Sequence, residues 1–135
     1  MKISTSLLVA ALFPAFLLLS SCEKTEMFKS EKAIKKQLVG TWSRIPIPKT
    51  LADQSWIFDE SGNVYIQEAG MEGDTGTYEV KTSWTKVELK IKDLVHHDYH
   101  NAIWQVVLLD NEVLVMANDH SGATGIKELD FQKRN

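Results

Sequence analysis

The run His96-His97-Asp98-Tyr99-His100 is the densest group of chemically capable side chains in this 135-residue chain, and Asp119-His120 sets another imidazole beside a carboxylate further on. Imidazole nitrogens and carboxylate oxygens are the donor set of zinc and other transition metals. His97 and His100 could reach one ion from a turn. No helix carries them at a ligand-specific interval, however, and no second motif completes a set. The run reads more simply as a histidine-rich loop between two strands, and no metal or other cofactor is expected. Glu72 and Asp74, among Gly70, Gly73 and Gly76, could grip calcium weakly, but two acids among glycines are more simply a mobile turn. For nucleophilic catalysis the residues offer little. Ser43, Ser55, Ser61, Ser83 and Ser121 lack a nucleophile-elbow context, and Ser121 beside His120 and Asp119 is contiguous, whereas a triad is assembled from separated segments. The chain is not expected to be an enzyme.

The single cysteine, Cys22, stands at the end of a leader: Lys2, then an apolar run from Ile3 to Leu19 interrupted by Ser, Thr and Pro14, then small Ser20 and Ser21. The run is short for a spanning helix, which needs about 20 apolar residues, and Pro14 sits inside it. Leu19-Ser20-Ser21-Cys22 resembles the bacterial lipobox. That resemblance implies a signal peptide over residues 1–21, cleavage before Cys22, acylation of its thiol and of the new amino terminus, and a lipid-anchored protein of the cell envelope, at the outer membrane, with the leaflet open. Residues 22–26 would form the tether and 27–135 the folded domain. With one cysteine no intrachain disulfide can form, so stability must come from the core. Losing residues 1–21 removes one lysine and no acid and leaves 14 basic and 18 acidic residues, a net charge of −4. That balance gives no basic field for nucleic acid.

The elements that must carry these side chains are mostly strands. Met27 to Val39 places Met27, Ile34 and Leu38 at near-helical spacing, with Lys29, Lys32, Lys35 and Lys36 elsewhere. This predicts one short amphipathic helix whose basic side is a solvated face or a contact with lipid phosphates. From Gly40 the period becomes two. Strands are predicted over Gly40 to Ile45, Gln54 to Asp59, Val64 to Glu68, Gly76 to Lys81, Thr85 to Asp93, Asn101 to Leu109, Val113 to Ala117 and Ile126 to Gln132. Pro46 and Pro48 stop the first. Between Thr85 and Asp93, Val87, Leu89 and Ile91 alternate with Lys86, Glu88, Lys90 and Lys92, which marks a half-buried strand. Asn101 to Leu109 is apolar on both faces, so it should be covered on both sides, by the helix or by a second copy of the protein. Short links and no intervening helices favour an antiparallel meander, and eight such strands avoid exposed edges by closing on themselves. The expected fold is all-β: an eight-stranded antiparallel up-and-down barrel preceded by one short helix.

Leu38-Val39-Gly40-Thr41-Trp42, a helical turn running into Gly-x-Trp at the first strand, resembles the opening signature of the lipocalins and the smaller bacterial lipocalin-like lipoproteins. Phe58-Asp59-Glu60-Ser61-Gly62-Asn63-Val64, Gly76-Thr77-Tyr78-Glu79-Val80 and Leu129-Asp130-Phe131-Gln132-Lys133-Arg134 are similar to their repeating strand pattern, and together the likeness spans nearly all of residues 34–134. It implies that Gly40 and Trp42 form the barrel base, with Arg134 or Lys133 as a cation packed across the tryptophan. It also implies a cup for a small apolar ligand, for which Trp56, Phe58, Tyr78, Trp104 and Met116 are the candidate liners. The chain is shorter than a typical lipocalin and no long helix follows the eighth strand, which argues against a roomy cup. Large inward aromatics also fill a core as readily as they line a cavity. Two functions follow: a tethered barrel that holds a small apolar ligand, or a solidly packed barrel that docks to an envelope protein. If the histidine loop flanks the barrel mouth, its charge would change between about pH 5 and 8 and could gate access.

Overall fold

The computed structural model describes residues 29–46, 52–118 and 128–135; the leader, Cys22, Met27, Pro48, Asp119, His120, Ser121 and Ile126 lie outside them. Helix α1 spans Glu31–Leu38. Its start is set by Ser30, whose hydroxyl accepts from the Ala33 amide at 3.2 Å and so takes up one of the orphan donors of the first turn. The expected helix is therefore shortened at its start, and Lys29 lies ahead of the cap. Eight strands follow: β1 (Gly40–Arg44), β2 (Gln54–Phe58), β3 (Asn63–Glu68), β4 (Asp74–Thr82), β5 (Val87–Lys92), β6 (Ile103–Leu109), β7 (Val113–Ala117) and β8 (Glu128–Lys133). Each pairs antiparallel with the next, and β8 returns to β1 with Trp42 opposite Lys133, so the sheet is a closed barrel.

Alternation puts one row of each strand inside. Trp42, Trp56, Phe58, Val64, Ile66, Leu89, Ile91, Trp104, Leu114, Met116, Leu129 and Phe131 are all buried in a single core with Ile34 and Leu38 of α1. In β6 the alternation breaks. The register with β7 shifts between Val106 and Leu108, a bulge that spends one extra residue and turns Leu109 inward. This corrects the expectation that the strand is covered on both sides. Its apolar run on both faces comes from the bulge, and Ile103, Val107 and Leu108 remain 45%, 58% and 39% exposed.

The up-and-down path sorts the connections into two ends. At the base lie α1, the β2–β3, β4–β5 and β6–β7 turns and the end of β8. At the mouth lie the end of β1, the start of β2, the end of β3, the start of β4 and the β5–β6 connection, residues 93–102. The base is stitched together. Trp42 Nε1 donates to the Leu38 carbonyl at 2.7 Å, and Lys133 Nζ sits 5.1 Å from the centre of the Trp42 ring and donates to the Gln37 carbonyl at 3.2 Å. Of the two cations foreseen for this place, Lys133 holds it, while Arg134 donates to the Ser43 hydroxyl and, through its backbone amide, to Thr41. Gly40 has a φ of +137°, and a Cβ there would lie 2.8 Å from Lys133 Cε, so glycine is what lets the chain turn from helix to strand beneath that lysine.

Candidate functional site

At the mouth the inward rows end in polar residues. Arg44 follows Trp42, Gln54 precedes Trp56, Glu68 follows Ile66, and Asp74 precedes Gly76 and Tyr78 on the inward rows of β1 to β4. These four adjacent strands raise a polar rim above an apolar lumen. Gln54 joins its members: its carbonyl oxygen accepts from Arg44 Nη1 and from Trp56 Nε1, both at 3.2 Å, and its amide donates to Glu68 Oε2 at 2.9 Å. The Tyr99 hydroxyl approaches the same amide at 3.4 Å.

Into this rim the β5–β6 connection is folded. It leaves β5 through Asp93, the one described non-glycine residue with positive φ, at 67°. It buries Leu94, and ends in a single 3₁₀ turn, Asp98–His100. Gly76 makes the entry: a Cβ there would sit 2.4 Å from the Lys92 carbonyl and 3.0 Å from Leu94, so only glycine lets the segment come this close to β4. Asp74 then holds it. Its carboxylate accepts the backbone amides of Val95 at 3.1 Å, His96 at 2.8 Å and His97 at 2.7 Å. Burial on its own raises the Asp74 pKa, but these amides and the His97 ring together outweigh it and leave the carboxyl below its usual range.

The two inner histidines have opposite surroundings. His97 is fully buried with Nε2 2.9 Å from Glu68 Oε2 and Nδ1 3.3 Å from Asp74 Oδ2, so both ring nitrogens face carboxylates. His100 is equally buried, yet neither of its nitrogens has a hydrogen-bond partner. Its ring lies inside the lumen, 4.8 Å from Trp56 edge to face, 6.2 Å from Trp104 and 4.2 Å from Tyr99. Burial, with smaller contributions from the Arg44 and His97 charges, pushes its pKa from 6.5 down to about 3, so the ring is neutral at ordinary pH.

The metal reading of the loop finds no support in this geometry. The His97 and His100 rings lie parallel with centres 6.4 Å apart, and among the described residues no three His, Cys, Asp or Glu side chains converge as an ion would need. Nor do Glu72 and Asp74 form a calcium site: Asp74 is committed to backbone amides, while exposed Glu72 reaches only His96, at 3.7 Å. The members of the rim that sequence reading passed over are Arg44, Gln54, Glu68 and Tyr99. The alternation of β1 to β3 already puts the first three at strand ends on the inward face, a signal that the correct strand bounds make readable.

The five candidate liners are all inside, and Trp56, Phe58 and Tyr78 pack in succession. Trp56, Phe58, Trp104 and Met116 are no more than 1% exposed and Tyr78 is 4% exposed. Trp56 packs against Phe131 at 5.1 Å and Phe58 at 6.2 Å, and Phe58 meets Tyr78 edge to face at 5.1 Å. The Tyr78 hydroxyl donates to the Asp59 carbonyl at 2.5 Å, and burial, helped by the charges of Asp59 and Glu60, raises its pKa to about 12. Several surface grooves lie outside the wall instead, one between α1 and β4 and another where Lys32, Lys35 and Lys36 meet Val39 and Glu60. No helix among the described residues is long and apolar enough to cross a membrane. No family model matches the chain, and neither a curated protein nor a solved structure matches it.

Proposed function

We propose that this chain is a lipid-anchored envelope protein of lipocalin-like build, whose barrel is a solid body that works through its outer surface by docking to another envelope protein. The observation that carries this reading is the filled interior. A side chain lining a standing cup keeps surface that water can touch, whereas Trp56, Trp104 and Met116 keep 1% or less. The outer wall supplies a docking candidate in Ile103, Val107 and Leu108, with Lys90 opposite Ile103 on β5 and, beyond β7, Glu128 and Asp130 on β8. The anchor rests on the leader and on Ser20-Ser21-Cys22, and several acyl chains on one cysteine would hold far better than a single chain.

A second reading, a barrel that holds a small, largely apolar ligand, draws on one observation. His100 has two unpartnered nitrogens inside the lumen, and a bound molecule with one polar group could supply what they lack. Native mass spectrometry separates the readings, using the domain from Glu23 onward, purified gently from the envelope compartment. A bare protein mass is the expected result. An organic adduct that survives mild activation and disappears on denaturation would overturn the packed-barrel reading in favour of the ligand holder. In cells, Cys22→Ser should move the protein from the membrane to the soluble fraction; if the variant stays with the membrane, the lipid anchor is wrong.

A further inference from the structure

We propose that residues 93–102 form an acid-released plug: Asp74 anchors the segment in the barrel mouth, neutral His100 is its tip in the lumen, and charging of His100 expels it while the barrel wall stays closed. The proposal rests on neither reading of the function. It starts from two opposed features of one short segment. Three consecutive backbone amides converge on one carboxylate, and His97 bridges that carboxylate to Glu68. These contacts draw the segment in. Three residues further on, an imidazole is held among Trp56, Trp104 and Tyr99 with both nitrogens unpartnered. Buried polar atoms without partners oppose seating, because water would satisfy them outside.

The segment can move as a unit. It is rooted at Lys92 and at Ala102, whose carbonyl accepts the Ile91 amide at 2.9 Å, begins at a residue already in left-handed backbone, and is not itself a strand of the barrel. The charged and titratable groups around the tip set the direction of the pH effect. From β1 comes the Arg44 guanidinium, from β3 Glu68, from β4 Asp74, and from the segment His97, Asp98 and Tyr99; the side chains of β2 and β6 that meet the segment are uncharged Gln54, Trp56 and Trp104. Arg44 and His97 both disfavour a second positive charge, and burial disfavours it more. A seated ring that protonates only near pH 3, against 6.5 when exposed, leaves the closed state untouched at neutral pH. Below 6.5 the ring takes a proton from solvent on leaving, and the ratio of open to closed rises about tenfold per pH unit.

Hydrogen exchange of the full folded domain, corrected for the intrinsic pH dependence of exchange, tests this. Between pH 7 and pH 5 the protection of the Val95, His96 and His97 amides should fall about 30-fold, while amides of β2, β3 and β4 keep theirs. His100→Phe should abolish the pH dependence and keep the segment closed. His100→Gln retains unpartnered polar atoms but cannot titrate, so it should loosen the segment equally at both pH values. Asp74→Asn should release the segment already at pH 7. The proposal is overturned if the wild-type amides keep their protection at pH 5, if His100→Phe and His100→Gln lose it as the wild type does, if all strands lose it together, or if Asp74→Asn stays protected.

Discussion

The two ends of this barrel are closed by different chemistry. At the base each polar group near the lumen has a partner: the Trp42 indole has the Leu38 carbonyl, and Lys133 has the Gln37 carbonyl and the tryptophan face. The Tyr78 hydroxyl donates to the Asp59 carbonyl, the Asp59 and Asp110 carboxylates bond within their own turns, and the rest is apolar packing. At the mouth, closure depends on carboxylates, an arginine and two histidines, one of which is unsatisfied. Apolar packing is indifferent to pH, whereas a buried imidazole is not. Between pH 7 and pH 5 the base therefore contributes stability that stays level, and the mouth sets how stability responds.

Removing the base should have the largest effect. Trp42→Ala empties a fully buried site and strands the Leu38 carbonyl, and denaturant unfolding should show a loss of roughly 4 kcal/mol. Because the site is remote from the titrating groups, the slope of stability with pH should not change. Next comes pH itself. His100 carries a native pKa depressed from 6.5 to about 3, so its contribution is intact above 6.5 and is lost as the pH falls below that value, where the unfolded chain takes the proton and the native one does not. Unfolding at pH 5 should therefore cost about 2 kcal/mol less than at pH 7 on its account, a difference absent from His100→Phe. Of similar size, Gly76→Ala forces a Cβ onto the Lys92 carbonyl and should cost about 2 kcal/mol, with the loss of amide protection concentrated in residues 93–102. If it spread evenly over the barrel, the two ends would not be separable. Lys133→Met removes a cation from the Trp42 face and should cost only about 1 kcal/mol, equally at pH 7 and pH 5. Least of all, Val107→Lys on the open outer wall should change stability by less than about 0.5 kcal/mol.

The wall was far more legible in the sequence than the mouth. Val87, Leu89 and Ile91 alternate with lysines and a glutamate, and a half-buried strand is the simplest way to satisfy that pattern. The Gly-x-Trp after a helical turn likewise announced the base. The bulge in β6 was hidden because its residues are apolar on both sides of it, so a register shift leaves no mark in the pattern. The mouth was hidden for a different reason. Asp74 finds its amides 21 to 23 positions away, and His97 meets Glu68 across 29. Such contacts exist only once the strands have closed. A histidine-rich connection also reads as solvated surface, since nothing local says that a loop will turn into the lumen. The polar rim of Arg44, Gln54, Glu68 and Asp74 stood between these cases, written in the alternation but interpretable only with the strand ends in hand.

Titration of His100, followed through its ring proton resonances by NMR, tests most directly the claim that the mouth is sealed and the interior filled. A ring seated among Trp56, Trp104 and Tyr99 should show no transition near 6.5 and should protonate well below it, near the acid limit of the folded state. An ordinary titration centred near 6.5 would mean that water already reaches the lumen at neutral pH, and the contrast between the two ends would fall with it.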